Sequence, residues 1–262
     1  MNDTGHFLDQ MRATAPLIHN ITNYVAMNIM ANVLLAAGAA PAMIHAREEV
    51  REFASIAQAL TVNIGTLDPV WVEAMEIAAQ VMQDAGRPWV LDPVGIGATR
   101  YRQDVCVRLL ALRPSIIRGN ASEILALAGL SAGARGPEAT DTVTAAEAAA
   151  RDLAQLTDGV VAVSGPVDYI TDGTNAFYVA NGDPMMTRVT ALGCALNGVV
   201  GAFAVGQPAL PATVAAMAYY GLAGQQAAAN TTGPGAFESA FLDRLYAITP
   251  LDLTTGAKVV SI

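Results

Sequence analysis

Short apolar runs that stop at polar turns recur along this chain, with helix-like segments between them. Residues 16–22, 60–65, 89–91, 115–117 and 160–163 are such runs. The segments running to about Ala37, 48–59, 69–85, 121–128 and 145–156 carry helical patterning. Gly38 and Gly86 stand where two of these helices should stop. Buried strands alternating with amphipathic helices mark a mostly parallel sheet covered on both faces. The expected fold is therefore α/β, a three-layer α/β/α arrangement. Residues 40–44 read as a further strand end. The rhythm then changes. Residues 168–179 read as a hairpin turning at Asp172-Gly173-Thr174, and three helices follow over 194–205, 211–229 and 234–246.

A chain of 262 residues, 53% hydrophobic, is long enough for one large α/β domain or two small ones. No linker, low-complexity tract or repeat interrupts it, so residues 1–262 read as one domain. The net charge of −9 argues against nucleic-acid binding, which needs a basic footprint. Arg100, Arg102, Arg108, Arg113 and Arg118 do cluster, most simply as a solvated helix face, except that Arg118 sits differently, at the end of an apolar run. Two stretches, 26–44 and 189–205, imitate membrane spans, but Asn28, Asn32, Pro41, Asn197 and several glycines interrupt them, and no membrane partner is expected. The N-terminus has neither a basic nor an apolar leader region. Cys106 and Cys194 lack metal-ligand spacing and suggest a reducing compartment, so a cytoplasmic location is expected. Cys106 reads as structural.

Polar residues gather just after the strands: Asn20, Thr22 and Asn23; Asp92; Arg118, Asn120 and Glu123; Ser164. Ligands bind at the carboxyl ends of strands in open α/β sheets. Any one of these residues is also a good turn former or cap. Thr22 or Asn23 would cap the helix that follows, and Asn120 with Glu123 would make a capping box. At 191–194, Ala-Leu-Gly-Cys leads into an apolar helix. Gly193 permits close approach of a ligand, and a helix start suits phosphate. The same field would favour a Cys194 thiolate. The alternative is that Cys194 is a small buried hydrophobe. Asp92 and Glu123 have the chemistry to hold a hydrated Mg²⁺, and the Arg118 fork suits a phosphate. Together these parts fit phosphoryl transfer.

Several motifs occur in a specific order: His19-Asn20-Ile21-Thr22-Asn23, Leu91-Asp92-Pro93-Val94-Gly95, Arg118-Gly119-Asn120-Ala121-Ser122-Glu123, Thr171-Asp172-Gly173, Gly193-Cys194 and Gly233-Pro234-Gly235-Ala236-Phe237. In this the chain resembles the hydroxyethylthiazole kinases of thiamine salvage, a ribokinase-like family, over about residues 16–246. The resemblance implies ATP-dependent, Mg²⁺-assisted phosphorylation of the hydroxyl of 4-methyl-5-(2-hydroxyethyl)thiazole by a homotrimer. It implies thiazole contacts at Met43, Asn23 and Ala191, and ATP contacts at Arg118, Ser164, Asn120 and Gly193. It places Asp92 and Glu123 at the metal, and Cys194 where related kinases carry an aspartate base. One departure stands out. The family's Gly-Thr-Gly-Cys is here Ala191-Leu192-Gly193-Cys194. An alanine would be strained if its position requires positive φ, and Leu192 removes a hydroxyl that could meet a phosphate. A kinase for another small alcohol, pyridoxal-like or hydroxymethylpyrimidine-like, is one alternative. A binding protein with weakened turnover is another.

Overall fold

The structure is a computed structural model describing residues 3–131 and 142–262. Apart from Ser131, the segment 131–141, whose order the sequence left open, lies outside the described residues. In chain order the elements are α1 (Thr4–Thr14), β1 (Leu17–Ile21), α2 (Met27–Ala37), β2 (Ala40–Ala42), α3 (Val50–Ile56), β3 (Ala59–Asn63), α4 (Pro69–Asp84), β4 (Trp89–Asp92) and α5 (Arg100–Ala111). Then come β5 (Ile116–Asn120), α6 (Ala121–Ser131), α7 (Thr142–Thr157), β6 (Val160–Ser164), β7 (Asp168–Thr171) and β8 (Ala176–Val179). The chain closes with α8 (Leu192–Ala204), α9 (Ala209–Ala228), α10 (Pro234–Ala247), α11 (Pro250–Gly256) and β9 (Val259–Ser261).

The described strands form one nine-stranded sheet in the order β2-β1-β3-β4-β5-β6-β7-β8-β9. Strands β2 through β6 run parallel, and β7, β8 and β9 add to the edge antiparallel. Alternation along the strands divides the core. Ile18, Val90, Ile116 and Val160 pack toward α1, α2, α8, α9 and α10. Ile21, Leu60, Leu91, Ile117 and Val161 pack toward α3, α4, α5 and α7. Burial on both faces is what continuous apolar strands require, and the result is the expected three-layer α/β/α fold.

Local chemistry sets the helix ends. Asp68 Oδ1 accepts from the N–H groups of Val70 and Trp71 while Pro69 opens α4. Gly38, at φ 106°, ends α2 in the left-handed conformation. The start of α2 differs from expectation. It begins at Met27, and no side chain caps it. Asn23 instead closes the turn before it, its Oδ1 accepting from Ala26 N at 3.0 Å. Arg102 is no solvated residue either. Its guanidinium donates to the carbonyls of Ile64, Val94 and Gly65, tying α5 to the turns after β3 and β4. Among the described residues, no helix is long and apolar enough to cross a membrane.

Candidate active site

The carboxyl ends of β1, β3, β4, β5 and β6 converge on the start of α8. Helix α8 begins at Leu192, so Gly193 and Cys194 lie in its first turn, where backbone N–H groups have no intrahelical partner. Ala191 precedes the helix at φ 60°, ψ 10°, in the left-handed region. Glycine adopts that conformation freely and alanine does not, so the strain expected at this position is present. Leu192 departs from expectation. Its side chain is buried in the core beneath α8, so a hydroxyl at this position would face the core rather than a phosphate. The Leu192 carbonyl accepts from the buried Tyr220 hydroxyl at 2.8 Å, which anchors the helix start.

Arg118, on β5, bridges two of the expected phosphate-side elements. Nη1 donates to the Gly193 carbonyl at 2.9 Å, and Nη2 donates to Ser164 Oγ at 2.8 Å. Arg118 Nε is buried without a hydrogen-bond partner. Beside this bridge opens a cavity of about 950 Å³. Arg118, Ser164 and Gly193 line its polar end, and Leu196, Met186 and Met217 supply apolar wall. A planar aromatic group with an anionic tail suits that division. A larger depression of about 1330 Å³ lies at the amino ends of β4, β5 and β6, around Arg87, Arg113 and Asp158, and none of the expected site residues lines it.

Cys194 adjoins a chain of amides leading to Asp92. Asn23 Nδ2 donates to Cys194 Sγ at 3.4 Å and to Asn63 Oδ1 at 2.9 Å. Asn63 Nδ2 and Asn197 Nδ2 each donate to Asp92 Oδ2 at 2.6 Å. Asp92 Oδ1 is buried without a partner. Burial first, and Glu123 second among the raising causes, push the Asp92 carboxyl up to about 7, against Arg118 and the two amide bonds. The Cys194 thiol is also pushed above its ordinary value, by burial and then by Asp92, with Asn23, Asn63 and Arg118 opposing. The lowering expected from the helix start is therefore outweighed: removing solvent from a half-buried thiol beside a carboxylate favours its neutral form.

Asn120 and Glu123 do form a capping box at the start of α6. Asn120 N donates to Glu123 Oε2 at 2.9 Å, and Glu123 N donates to Asn120 Oδ1 at 3.0 Å. Glu123 Oε1 also accepts from Gly95 N at 3.1 Å, so this carboxylate ties the turn after β4 to α6. Among the described residues, no group of three or more His, Cys, Asp or Glu is arranged to hold a metal ion. The unpartnered Asp92 Oδ1, with Glu123 as a second carboxylate, does fit a largely hydrated magnesium, which takes one or two carboxylates together with substrate phosphates.

Met43 is half-buried and follows the edge strand β2. The carbonyls on either side of it are held by β1 side chains: Ala42 O by Asn20 Nδ2 at 3.3 Å and Ile44 O by His19 Nε2 at 2.8 Å. Asn63, Asn197 and His19 were not among the residues expected at the site. Asn63 carries the same signal as the others, a polar residue closing a strand. Asn197 stands three residues after Cys194, on the same face of the helix.

Comparison with known proteins accords with this geometry. Residues 8–250 match the model of the hydroxyethylthiazole kinase family. A hydroxyethylthiazole kinase of Cereibacter sphaeroides is 60% identical, over 99% of each chain. One of Rhizobium leguminosarum is 52% identical, over 97% of this chain and 96% of the relative. The structure of the hydroxyethylthiazole kinase protein from Pyrococcus horikoshii OT3 superposes with a TM-score of 0.92 at 39% identity, covering 99% and 98% of the two chains. A pyridoxal kinase of Staphylococcus aureus shares the fold, with a TM-score of 0.63 at 15% identity over 94% of this chain and 99% of its own. The strand-end site and these likenesses together place the chain in the hydroxyethylthiazole kinase family.

Proposed function

We propose that this chain transfers the γ-phosphoryl group of ATP to the hydroxyl of 4-methyl-5-(2-hydroxyethyl)thiazole. The observation that carries the reading is the Arg118 bridge between the Gly193 carbonyl and Ser164, set beside the 950 Å³ cavity and the first turn of α8. ATP occupies the cavity with its phosphates toward Arg118, Ser164 and the free N–H groups of α8. Arg118 and the helix start neutralise charge on the transferring group, and Asn120 lies at the same strand ends. Phosphoryl transfer is dominated by positioning and charge, and removal of the hydroxyl proton comes late. Cys194 is the group placed to take that proton. Only its thiolate form can accept that proton, and the raised pKa keeps the thiolate a minor fraction, so Cys194 has a modest assisting role. Asn23, Ala191 and Met43 form the thiazole side. Asp92, through Oδ1, and Glu123 would hold Mg²⁺, which supplies charge neutralisation on the phosphates when bound.

The domain reading, one unit over 1–262, rests on the single continuous sheet. A homotrimer is supported by apolar side chains left exposed: Tyr24 and Val25 before α2, and Leu35 on it. A cytoplasmic location is supported by two free cysteines.

The test is ADP release with ATP, Mg²⁺ and the thiazole alcohol, beside a control without the alcohol and a panel of pyridoxal-like and hydroxymethylpyrimidine-like alcohols. Turnover dependent on the thiazole alcohol is expected. Turnover with another alcohol alone would reassign the substrate. Binding of both ligands without turnover would leave a binding protein.

A further inference from the structure

The segment 181–187 lines the same cavity as Arg118 and Ser164, and it belongs to no α-helix or strand. Its regular part is a short 3₁₀ turn, Pro184–Arg188. Two neighbours therefore decide where it stands. One is α9. A Cβ added at Gly221 would come within 2.6 Å of the Asn181 carbonyl oxygen, and one at Gly224 within 2.3 Å of Met186 Sδ, so the two glycines let the wall lie directly on the helix.

The other neighbour is the end of the chain. Asn181 is buried, and both ends of its carboxamide are used there. Nδ2 donates to the Gly256 carbonyl at 3.0 Å, and Oδ1 accepts from Lys258 N at 2.7 Å. Ala180 N donates to the Lys258 carbonyl at 3.0 Å, and β9 continues this pairing along β8 in the register Val179↔Val259. Lys258 Nζ reaches Gln225 Oε1, on α9, at 3.1 Å, so the tail also touches the wall's other support. Gly256, Lys258 and Val259, which make these contacts, lie beyond residue 250, where the family model's match ends.

We propose that Asn181 is a positioning residue for the nucleotide, and that the segment after α11 is its support: Gly256 and Lys258 hold Asn181, and Asn181 holds the cavity wall against α9. The inference rests on the reading of this cavity as the ATP site. The buried Asn181 amide gives two hydrogen bonds, to Gly256 O and at 3.5 Å to Gln225 Oε1 on α9, and accepts one, and no aliphatic residue can make them. Its removal releases the wall while leaving Arg118, Cys194 and the thiazole side in place.

The experiment uses the full chain. Steady-state kinetics with ATP and the thiazole alcohol are measured for the parent, for Asn181→Ala and for a deletion of residues 258–262, each with a thermal melt. The expected result is a KM for ATP raised about tenfold, the scale of one or two lost hydrogen bonds. The KM for the alcohol and kcat should change less than about twofold, since their groups are untouched. A general loss of structure would move all three. In the parent, a non-hydrolysable ATP analogue should slow amide exchange at Lys258 and β9, and the thiazole alcohol alone should not. This second reading decides the matter if either variant fails to fold. An unchanged ATP KM in a folded Asn181→Ala protein, or β9 amides indifferent to nucleotide, would overturn the proposal while leaving the kinase reading intact. A parent enzyme that does not use ATP would remove the kinase reading, and this proposal with it.

Discussion

Asn197 Nδ2 donates to Asp92 Oδ2 at 2.6 Å, joining the second turn of α8 to the end of β4 across 105 positions of sequence. Asn63 donates to the same oxygen, also at 2.6 Å, which leaves Oδ1 of a fully buried carboxylate without a partner. One oxygen is held in place and the other is left for a ligand. Burial costs the charged form dearly here, which is why the carboxyl rises to about 7.

This shift has a sign in stability. The folded Asp92 carboxyl binds its proton more tightly than the unfolded one, with its ordinary 3.8. Its contribution is therefore present below about 4 and is lost as pH rises toward 7. Asp168, pushed by burial up to about 6, acts in the same direction. His19 opposes both. Burial lowers it from 6.5 to about 4, so its contribution is present above 6.5 and lost as pH falls toward 4. Urea unfolding from pH 4 to 8 should show Asp92→Asn gaining stability relative to the parent as pH rises through this window. The gain should be at least ~1.4 kcal/mol, the linkage value of one pKa unit. Parallel curves for the two proteins would contradict the buried, proton-binding Asp92.

Ala191→Gly should stabilise the protein by about 0.5–1 kcal/mol, because relief of the left-handed strain exceeds the added freedom of the unfolded chain. Leu192→Thr should do the reverse, costing about 2–3 kcal/mol through a lost buried side chain and a hydroxyl placed in the core. Thermal melts of the two single variants check both signs. The double change toward the family's Gly-Thr is then expected to be less stable than the parent.

Arg118→Ala should raise the KM for ATP by about 10–100-fold, the scale of a charge-assisted contact to phosphate. The KM for the thiazole alcohol should hold within about twofold. Arg118→Lys should recover little, because an ammonium cannot bridge the Gly193 carbonyl and Ser164 at once. Initial rates at varied ATP and fixed alcohol decide this, and an unaltered ATP KM would remove Arg118 from the nucleotide side.

Cys194→Ala should lower kcat by about 10–100-fold while leaving measurable turnover, less than the roughly 10²–10⁴-fold of a full general base because the raised pKa keeps the accepting thiolate a minor fraction. The ATP KM should move little. Single-turnover measurements isolate the chemical step, and a full parent rate in this variant would make Cys194 a packing residue.

Much of this arrangement was legible in local sequence. Continuous apolar runs, helical periodicity and Gly38 are properties of neighbouring residues, and they sufficed for β1 to β8 and most helices. Polar residues after those runs pointed to the right end of the sheet, since parallel strands place all their carboxyl ends together. Helices α1 and α11 were not anticipated. The strand β9 is three residues long, and it exists because Val259 finds Val179, eighty residues earlier. No local pattern marks a strand that short. Arg102 illustrates the same limit, for its carbonyl partners come from two separate turns. By itself the sequence determined the layers, the end of the sheet that carries chemistry and the suspicion of strain at Ala191. Tertiary structure alone decided that Cys194 is held neutral, that Leu192 faces inward and that Asp92 keeps one oxygen free. Those outcomes depend on burial and on partners distant in the chain, and both come into being only when the strands and helices close on one another.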